Sequence, residues 1–196
     1  MSRFKVISME SLLSCGEDAA WEAVGEFSCK YNPEIDGYLR NRSVDFTRKC
    51  MTITHLVFDD DMGLCVGYFA LTHKPVIFQA DKLSGSQRKR IERFAKLDEE
   101  TGRYTVSAFL IAQIGKNYLA KNGELITGVA LLDLAKDELL VAKQTIGGQI
   151  VFVEMEHGNE QLAKFYADNG FVLFGSRDDE EDGKPITYDQ LFLFLK

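Results

Sequence analysis

The alternation of apolar and polar residues predicts a chain in which strands and helices follow one another. The run over 104–114 is the strongest buried-strand signal, because it is long, apolar and free of proline. Five further elements are predicted after it: a helix over 125–143, a strand over 150–153, a short helix over 160–168, and strands over 171–174 and 191–195. The apolar face of the first of these helices consists of Leu125, Val129, Leu132, Ala135 and Leu139.

The first half of the chain predicts a second set of elements. They are a strand over 3–9, a helix over 10–24 interrupted near Gly16, a helix from Pro33, a hairpin over 51–58 and 64–72, and an amphipathic helix over 85–97. This order of elements favours a mixed α/β sheet with helices on both faces. We expect a single domain over 1–196, because no linker or repeat interrupts the pattern.

Composition and charge narrow the range of functions. The chain has 196 residues, of which 45% are hydrophobic, enough for one well-filled core or at most two small ones. The formal net charge of -7 indicates that the protein is not a general nucleic-acid binder, although it is compatible with a local basic patch.

The cysteines and the acidic run do not predict a metal site. Four cysteines stand singly in the first third without a histidine at metal spacing, so reduced thiols are expected. Residues 178–182 are five consecutive carboxylates, whose spacing does not converge on one ion and predicts a solvated loop between two strands.

The chain carries no sequence signal for export or for a membrane span. Its N-terminus lacks a basic start followed by an unbroken apolar stretch. Its apolar runs all fall short of the about 20 residues that a spanning helix needs. We therefore expect a cytoplasmic protein.

The segment from Asn159 to Phe171 predicts a compact unit that presents one tyrosine. It follows the strand over 150–153 and consists of a polar turn, a short helix with Tyr166 near its end, and Gly170-Phe171 opening another strand. Glycine allows a sharp turn there, so the phenolic hydroxyl is placed at the edge of a sheet. A core aromatic whose hydroxyl lies at the surface is the alternative interpretation of Tyr166.

A second candidate site lies between the long strand and the helix that follows it. Residues 115–128 contain three glycines and lead into a helix N-terminus, whose unpaired N–H groups and partial positive charge favour a phosphate. Thr127 and Gly128 are small enough for a phosphate to approach closely. Many loops between strands and helices contain glycines, so the motif favours phosphate binding only together with other signals.

Four segments stand in the order and approximate spacing of the GNAT N-acetyltransferases, which this chain resembles. They are Gly67-Tyr-Phe, Leu110 to Gly115, Gly128 to Leu132, and Asn159 to Phe171. The front segment over 27–39 is similar to the Phe-x-Cys-Gly…Leu-x-x-Phe-Leu opening of GNAT toxins in toxin–antitoxin pairs. The resemblance implies an α/β fold with a mixed, mostly antiparallel sheet, a central splayed strand pair and helices on both faces.

The resemblance also implies acetyl-CoA as the acyl donor, lying in a splay between the long strand and the strand over 150–153. Its pantetheine arm would pair with the backbone of Ile114, Gly115 and Lys116, as an added strand would. Asn159 would contact the pantetheine or cap the short helix, and asparagine caps a helix by default.

The pyrophosphate loop departs from the family pattern, which usually reads Arg/Gln-x-x-Gly-x-Gly/Ala. Only Gly128 fits that pattern, and Glu124 brings a negative charge to the loop. The loop therefore either takes another path to the phosphates or binds the cofactor less tightly. The residues predicted to contact the pyrophosphate are Lys121, Asn122, Gly123, Thr127 and Gly128.

By resemblance, Tyr166 is the general acid that protonates the departing thiolate. A phenol of pKa about 10 is a plausible donor to a thiolate of pKa about 8.5. Three residues after the strand over 150–153 are candidate bases, Glu154, Glu156 and His157, and histidine has the best-suited intrinsic pKa. Many family members use a water instead, so no residue is assigned as the base.

Five basic residues fall within nine positions of this acidic chain: Arg88, Lys89, Arg90, Arg93 and Lys96. A solvated helix face is one interpretation, and an electrostatic footprint for RNA phosphates is the other. GNAT toxins acetylate the amino group of aminoacyl-tRNA, so the toxin likeness implies such a patch. A second basic group could extend it: Arg40, Arg42, Arg48 and Lys49.

The sequence thus predicts an acyltransferase that moves acetyl from acetyl-CoA directly to a primary amine. The toxin likeness implies aminoacyl-tRNA as the acceptor, an antitoxin as a protein partner, and a homodimer. The alternatives are a small-molecule or protein N-acetyltransferase, and a non-catalytic GNAT-like module that binds a protein or a nucleotide.

Overall fold

The computed structural model describes residues 3–25, 27–29, 31–119, 124–181 and 183–196. Its helices are α1 (Met9–Cys15), α2 (Glu17–Gly25), α3 (Pro33–Asn41), α4 (Ser43–Arg48), α5 (Gly85–Ile91), α6 (Gly128–Ile146) and α7 (Glu160–Asp168). Its strands are β1 (Phe4–Ser8), β2 (Ile53–Asp59), β3 (Leu64–Gln79), β4 (Leu97–Asp98), β5 (Arg103–Lys116), β6 (Ile150–Glu156), β7 (Val172–Glu181) and β8 (Lys184–Phe194). Within the described ranges, no helix is long and apolar enough to cross a membrane.

The strands form one mixed sheet. Its hydrogen-bonded order is β1-β2-β3-β5-β6-β8-β7, and β4 pairs with β5. The β5–β6 ladder is parallel, whereas the ladders β1–β2, β2–β3, β4–β5, β6–β8 and β7–β8 are antiparallel. The predicted mixed, mostly antiparallel α/β sheet is therefore confirmed.

The chain divides into two compact units. The first unit comprises Met1–Thr72 and Ile111–Thr145, and the second comprises His73–Leu110 and Ile146–Lys196. The long strands β3 and β5 each contribute residues to both units. The single domain expected over 1–196 stays a prediction.

The first unit is built around an apolar cluster under α1 to α4. Tyr68 of β3 is fully buried there, with the Phe27 ring edge-on at 5.1 Å and the Tyr38 ring stacked at 6.1 Å. Leu39 and Leu56 complete the centre of the cluster. Each such side chain stabilises the fold by about 1.5–3 kcal/mol relative to leaving it in water.

Local sequence signals explain where the helices of the first unit begin and end. The side chain of Asn32 accepts hydrogen bonds from the backbone of Glu34 and Ile35, and Pro33 occupies the first turn of α3. Gly16 has a φ of 125°, a conformation that favours glycine, and it separates α1 from α2. The predicted interruption near Gly16 and the helix start at Pro33 are confirmed.

The second unit has an aromatic core. The rings of Phe78, Phe174 and Phe192 lie with centroids 4.5–5.6 Å apart, contributed by three different strands. Arg90 of α5 lies over the Phe194 ring at 4.0 Å. A Cβ at Gly170, just after α7, would lie 3.4 Å from Leu193, so the end of α7 contacts β8.

Two predicted helices have different bounds in the structure. The helix expected over 85–97 ends at Ile91, and the next residue, Glu92, accepts a hydrogen bond from the Tyr104 hydroxyl at 2.8 Å. The helix expected over 125–143 begins at Gly128 instead. The sequence places Val129 on the apolar face, but Val129 is 45% exposed, because the buried stripe of α6 runs through Leu131, Leu132, Ala135 and Leu139 and Val129 lies outside it.

The acidic run was expected to be a solvated loop, and this prediction is wrong. Residues Asp178 to Glu181 belong to β7, whose ladder with β8 continues to the pair Glu181 and Lys184. Polar partners offset part of the repulsion between the carboxylates, since Asp178 accepts a hydrogen bond from Thr187 at 2.7 Å. Arg177 forms an ion pair with Asp179.

Candidate functional site

Tyr166 is a buried tyrosine whose hydroxyl makes no hydrogen bond within the described chain. Only 3% of the residue is exposed, and the rings of Phe165 and Phe171 each lie 5.3 Å from its own. Buried tyrosines usually find a partner for the hydroxyl. The other three buried tyrosines of the described chain do so: Tyr38 with Thr52, Tyr68 with the Ile35 carbonyl, and Tyr104 with Glu92.

The Tyr166 hydroxyl retains a small contact with solvent. Among the described residues, Thr47 Oγ1 is the one fully enclosed side-chain polar atom without a partner. The phenolic oxygen is therefore not fully enclosed, although the ring around it is.

The helix α7 and its ends hold Tyr166 in place. Asn159 caps the helix, because its side-chain oxygen accepts a hydrogen bond from the Leu162 backbone at 3.0 Å. Gly170 turns the chain with a φ of 85°, and the Phe171 N–H returns to the Tyr166 carbonyl at 3.0 Å. The capping interpretation of Asn159 is confirmed, and its contact with pantetheine stays a prediction.

Burial raises the pKa of Tyr166 above the ordinary value for a phenol. The cause is desolvation, which disfavours the charged phenolate. Since an ordinary phenol already has a pKa of about 10, Tyr166 stays protonated at neutral pH. The hydroxyl therefore carries a proton at neutral pH, and desolvation makes it a weaker acid than an ordinary phenol.

Glu154 is engaged in a fixed network and is not available as a free base. Arg177 donates two hydrogen bonds to its carboxylate at 2.8 and 2.9 Å, and Gln190 donates a third at 2.7 Å. Burial alone would raise the pKa of Glu154, but these hydrogen bonds and the charge of Arg177 outweigh it and lower the pKa. The carboxylate therefore remains ionised and paired.

His157 has a different environment from Glu154. Its side chain is 69% exposed, and Nδ1 lies 3.0 Å from a carboxylate oxygen of Asp189. Its backbone N–H donates to the Thr187 carbonyl at 2.9 Å, which fixes the chain after β6. This contact orients the ring but does not by itself identify a base.

The end of β5 carries the predicted pantetheine residues Ile114, Gly115 and Lys116. A Cβ at Gly115 would lie 2.4 Å from the Ile35 side chain of α3, so a larger residue here would require that side chain to shift. A Cβ at Gly67 would lie 2.9 Å from the Gly115 carbonyl oxygen, so β3 also approaches closely here. All three predicted residues are half-buried, and their contact with a cofactor stays a prediction.

Asn117, which the sequence did not single out, organises the backbone after β5. It is fully buried, and its side-chain oxygen accepts hydrogen bonds from the Ser28 N–H at 3.0 Å and the Leu119 N–H at 2.9 Å. Its amide nitrogen donates to the Cys65 carbonyl at 2.7 Å. An asparagine directly after an apolar strand was the available signal, but many exposed loop residues share it.

At the N-terminus of α6, two backbone donors have no partner among the described residues. The Thr127 hydroxyl accepts a hydrogen bond from the Ala130 N–H at 3.1 Å, so Thr127 caps the helix. The N–H groups of Gly128 and Val129 lie in the first turn, where a helix provides no acceptor. The other predicted phosphate contacts, Lys121, Asn122 and Gly123, lie outside the described residues.

The described β5–β6 ladder is short. It pairs Phe109 with Val151 and Leu110 with Phe152, although β5 continues to Lys116 and β6 to Glu156. The splay predicted beyond these pairs stays a prediction.

The basic residues after Ser84, here called the basic segment (88–96), are mostly exposed. Four of them point to solvent: Arg88, Lys89, Arg93 and Lys96. Arg90 is half-buried over Phe194. Arg88 and Arg103 line a surface depression of ≈ 430 Å³, together with Asp81.

The second basic group is largely neutralised by neighbouring carboxylates. Arg40 pairs with Asp36 at 2.8 Å and Lys49 with Asp45 at 2.8 Å, both within one helical turn. A third pair joins Arg48 to Glu17 at 2.5 Å. The basic segment is therefore the stronger candidate for binding a polyanion.

Comparison with known proteins identifies the fold. No protein-family model and no curated protein sequence matches the chain. The structure of AtaT complexed with acetyl-methionyl-tRNAfMet is similar, with a TM-score of 0.65 and 14% identity over 97% of this chain and 94% of that chain.

Two further similar structures are of mutants in which a tyrosine is replaced by phenylalanine. The AtaT mutant toxin bound to the C-terminus of the antitoxin AtaR and acetyl-CoA has a TM-score of 0.60 and 13% identity over 99% of this chain and 94% of that chain. The KacT mutant has a TM-score of 0.61 and 14% identity over 96% of this chain and 95% of that chain. The likeness extends over nearly the whole chain, and it confirms the predicted GNAT-like fold and its resemblance to the toxin branch.

Proposed function

We propose that this protein is an acetyl-CoA-dependent N-acetyltransferase in which Tyr166 is the general acid. The observation that carries the proposal is the state of Tyr166: it is buried, protonated at neutral pH, and without a hydrogen-bond partner in the described chain. The other buried tyrosines of the described chain bond their hydroxyls to protein groups, so among them only the Tyr166 hydroxyl is left available to a reacting group.

The fold likeness supports acetyl-CoA as the donor. The similar AtaT structure contains acetyl-CoA, and the likeness covers nearly all of both chains. The N–H groups of Gly128 and Val129 are suited to a pyrophosphate, because a helix N-terminus favours an anion. The backbone edge near Ile114 and Lys116 is suited to the amides of the pantetheine arm.

The proposed chemistry is direct transfer. The neutral amine nitrogen of the acceptor attacks the thioester carbonyl carbon, and a C–N bond forms. The C–S bond then breaks, and the departing CoA thiolate takes the proton of the Tyr166 hydroxyl. The new amide nitrogen loses its surplus proton to water, and solvent reprotonates the tyrosinate, so the products are an N-acetyl amide and CoA.

We further propose that the acceptor is the amino group of an aminoacyl-tRNA and that the protein acts as a toxin in the cytoplasm. The similar AtaT structures with acetyl-methionyl-tRNAfMet and with the antitoxin AtaR support this choice. The exposed basic segment (88–96) supports it independently, because an otherwise acidic chain presents it as a local site for RNA phosphates. A partner antitoxin and a homodimer belong to the same proposal.

The proposal is tested by comparing Tyr166→Phe with the wild type. The substitution removes one hydroxyl and keeps the ring, so we expect turnover to fall by about 10²–10⁴-fold while acetyl-CoA still binds. Acetyl transfer to aminoacyl-tRNA measures turnover, and calorimetric titration measures acetyl-CoA binding. Tyr104→Phe is the matched control, because it removes a buried hydroxyl that is bonded to Glu92.

Unchanged turnover in Tyr166→Phe would exclude Tyr166 as the acid. Wild-type protein that binds no acetyl-CoA at high micromolar concentration would favour a non-catalytic GNAT-like module. Transfer to small amines or proteins, with none to aminoacyl-tRNA, would retain the acetyltransferase and reject the RNA acceptor.

The toxin role has its own test. Expression of the wild type is expected to arrest growth, whereas expression of Tyr166→Phe is not. A small ribbon-helix-helix gene next to this one would supply the expected antitoxin, and its co-expression should restore growth. Equal growth of cells expressing the two forms would reject the toxin role.

A further inference from the structure

Two tyrosines meet just after β5, at a place to which no ligand has been assigned. The Tyr31 and Tyr118 rings stand edge to face, with centroids 4.7 Å apart and an angle of 86° between their planes. Tyr31 is 70% exposed, which leaves a large aromatic surface in water. Its ring therefore contributes little to the core of the first unit.

The surroundings of the pair combine apolar surface with a positive charge. Lys116 Nζ lies 5.7 Å from the centre of the Tyr118 ring, and Leu119 is 45% exposed. An aromatic face next to an ammonium group matches a nucleotide, which carries a flat base close to a phosphate.

The backbone under the pair is fixed by hydrogen bonds. The Tyr118 N–H donates to the Ser28 carbonyl at 2.7 Å, and the Ser28 N–H donates to the buried Asn117 side chain at 3.0 Å. These bonds join the segment that precedes α3 to the segment that follows β5. The Tyr118 backbone is therefore already ordered when a ligand binds, which lowers the entropic cost of binding.

We propose that Tyr31 and Tyr118 form a stacking platform for the base of an adenine nucleotide, with Lys116 placed beside its phosphate. The inference rests on the proposed function, whose two nucleotide-bearing reactants both end in adenosine. CoA carries 3′-phosphoadenosine 5′-diphosphate, and an aminoacyl-tRNA ends in the sequence CCA. The two sources share the chemistry that the platform recognises.

The platform is tested by direct binding to three forms of the full chain: wild type, Tyr31→Ala and Tyr31→Phe. The first probe is 3′-phosphoadenosine 5′-diphosphate, and the second is an RNA hairpin ending in CCA, compared with the same hairpin lacking the terminal adenosine. Stacking on an aromatic ring is worth about 1–3 kcal/mol per base, so we expect Tyr31→Ala to weaken binding roughly ten- to a hundredfold. Tyr31→Phe keeps the ring and should bind as the wild type does.

The result for each probe identifies the source of the base. A loss confined to the free nucleotide assigns the platform to CoA, and a loss confined to the CCA hairpin assigns it to the RNA end. Equal affinity of wild type and Tyr31→Ala for both probes, or no binding of either probe to the wild type, overturns the proposal. Because the Tyr31 ring is exposed, we expect Tyr31→Ala to unfold as the wild type does. That result would exclude misfolding as the cause of weaker binding.

The stacking platform and the proposed transfer reaction can be rejected independently of each other. Platform-dependent nucleotide binding without any acetyl transfer would reject the proposed function and keep the platform. Acetyl transfer with equal nucleotide affinity in Tyr31→Ala would keep the function and reject the platform.

Discussion

Asn117 connects two parts of the chain that lie far from it in sequence. Its side chain joins Ser28, which lies 89 positions earlier, and Cys65, which lies 52 positions earlier. Sequence periodicity reports on neighbours a few positions apart and carries no signal for such pairs. Tyr166 was recognisable because its position between an asparagine cap and Gly170-Phe171 is a local pattern.

Replacement of Asn117 by alanine is expected to destabilise the fold. It removes three hydrogen bonds and leaves backbone groups of Ser28, Cys65 and Leu119 without that partner. We expect the free energy of unfolding to fall by roughly 2–4 kcal/mol, measured by urea denaturation. Asn41→Ala, at an exposed position, is the control and should change it by less than about 0.5 kcal/mol. A loss below about 1 kcal/mol in Asn117→Ala would contradict this account.

The Glu154–Arg177 pair predicts how stability depends on pH. The pKa of Glu154 is lowered in the folded chain, so its contribution is present above the unfolded value of about 4.3 and is lost as the pH falls through the folded value. Glu154→Gln should therefore show a shallower loss of stability between pH 6 and pH 3 than the wild type, in urea titrations at each pH. Glu156→Gln removes one exposed charge nearby and serves as the control. Identical slopes in wild type and Glu154→Gln would refute the assignment.

At the scale of elements, β5 and α3 approach each other closely at Gly115. A strand glycine is favoured here because the position that a Cβ would occupy is 2.4 Å from Ile35. The sequence predicted both elements, since proline and an asparagine cap mark α3 and an unbroken apolar run marks β5. It could not predict that they touch, because their contact depends on tertiary packing.

Substitutions at this contact test it directly. Gly115→Ala should lower the free energy of unfolding by roughly 1–3 kcal/mol, because the methyl group overpacks against Ile35. Ile35→Ala in the same chain removes the clashing methyl, so the double variant should lose less than the sum of the two single losses. Gly25→Ala, which meets nothing within 4 Å, is the control. Strict additivity in a double-mutant cycle would contradict the contact.

The predicted ends of β3 and of the basic helix were wrong, because these ends depend on packing against other elements. β3 continues seven residues beyond the predicted end at Thr72, through an alternation in which Val76 and Phe78 are buried and Ile77 is exposed. Proline at position 75 concealed this period-two pattern, since proline rarely occurs inside a strand. The basic helix ends at Ile91, six residues before the predicted end, and two residues of the missing part lie outside it: Glu92 accepts a hydrogen bond from Tyr104, and Phe94 is 41% exposed.

At the scale of the whole molecule, the basic segment (88–96) and the earlier basic group (Arg40, Arg42, Arg48 and Lys49) differ in how far ion pairs neutralise them. Ion pairs engage three of the four residues in the earlier group, whereas the described chain gives no ion pair to Arg88, Lys89, Arg93 or Lys96. Sequence counts charges, but only the structure shows which of them are already neutralised. An overall net charge of -7 therefore conceals a local cationic surface.

RNA binding should depend on the basic segment and not on the earlier group. Changing Arg88, Lys89 and Arg93 to glutamine should weaken binding of a tRNA acceptor hairpin. It should also reduce the slope of log Kobs against log salt by about 0.7–0.9 for each phosphate that the protein no longer neutralises. The matched control changes Arg40, Arg48 and Lys49 to glutamine and should leave the slope near that of the wild type. Equal slopes in all three proteins, from fluorescence anisotropy at several salt concentrations, would reject the assignment.

The carboxylates of β7 also affect how separate copies of the protein meet. β7 is the last strand in the order, and within the described chain no strand pairs with its outer side, so its outer backbone groups resemble those that seed intermolecular sheets. Val172 and Leu173 add exposed apolar surface at one end of it. The negative charges of Asp178 and Glu180 repel the same strand of another copy, and they disfavour aggregation of copies through this rim at high concentration.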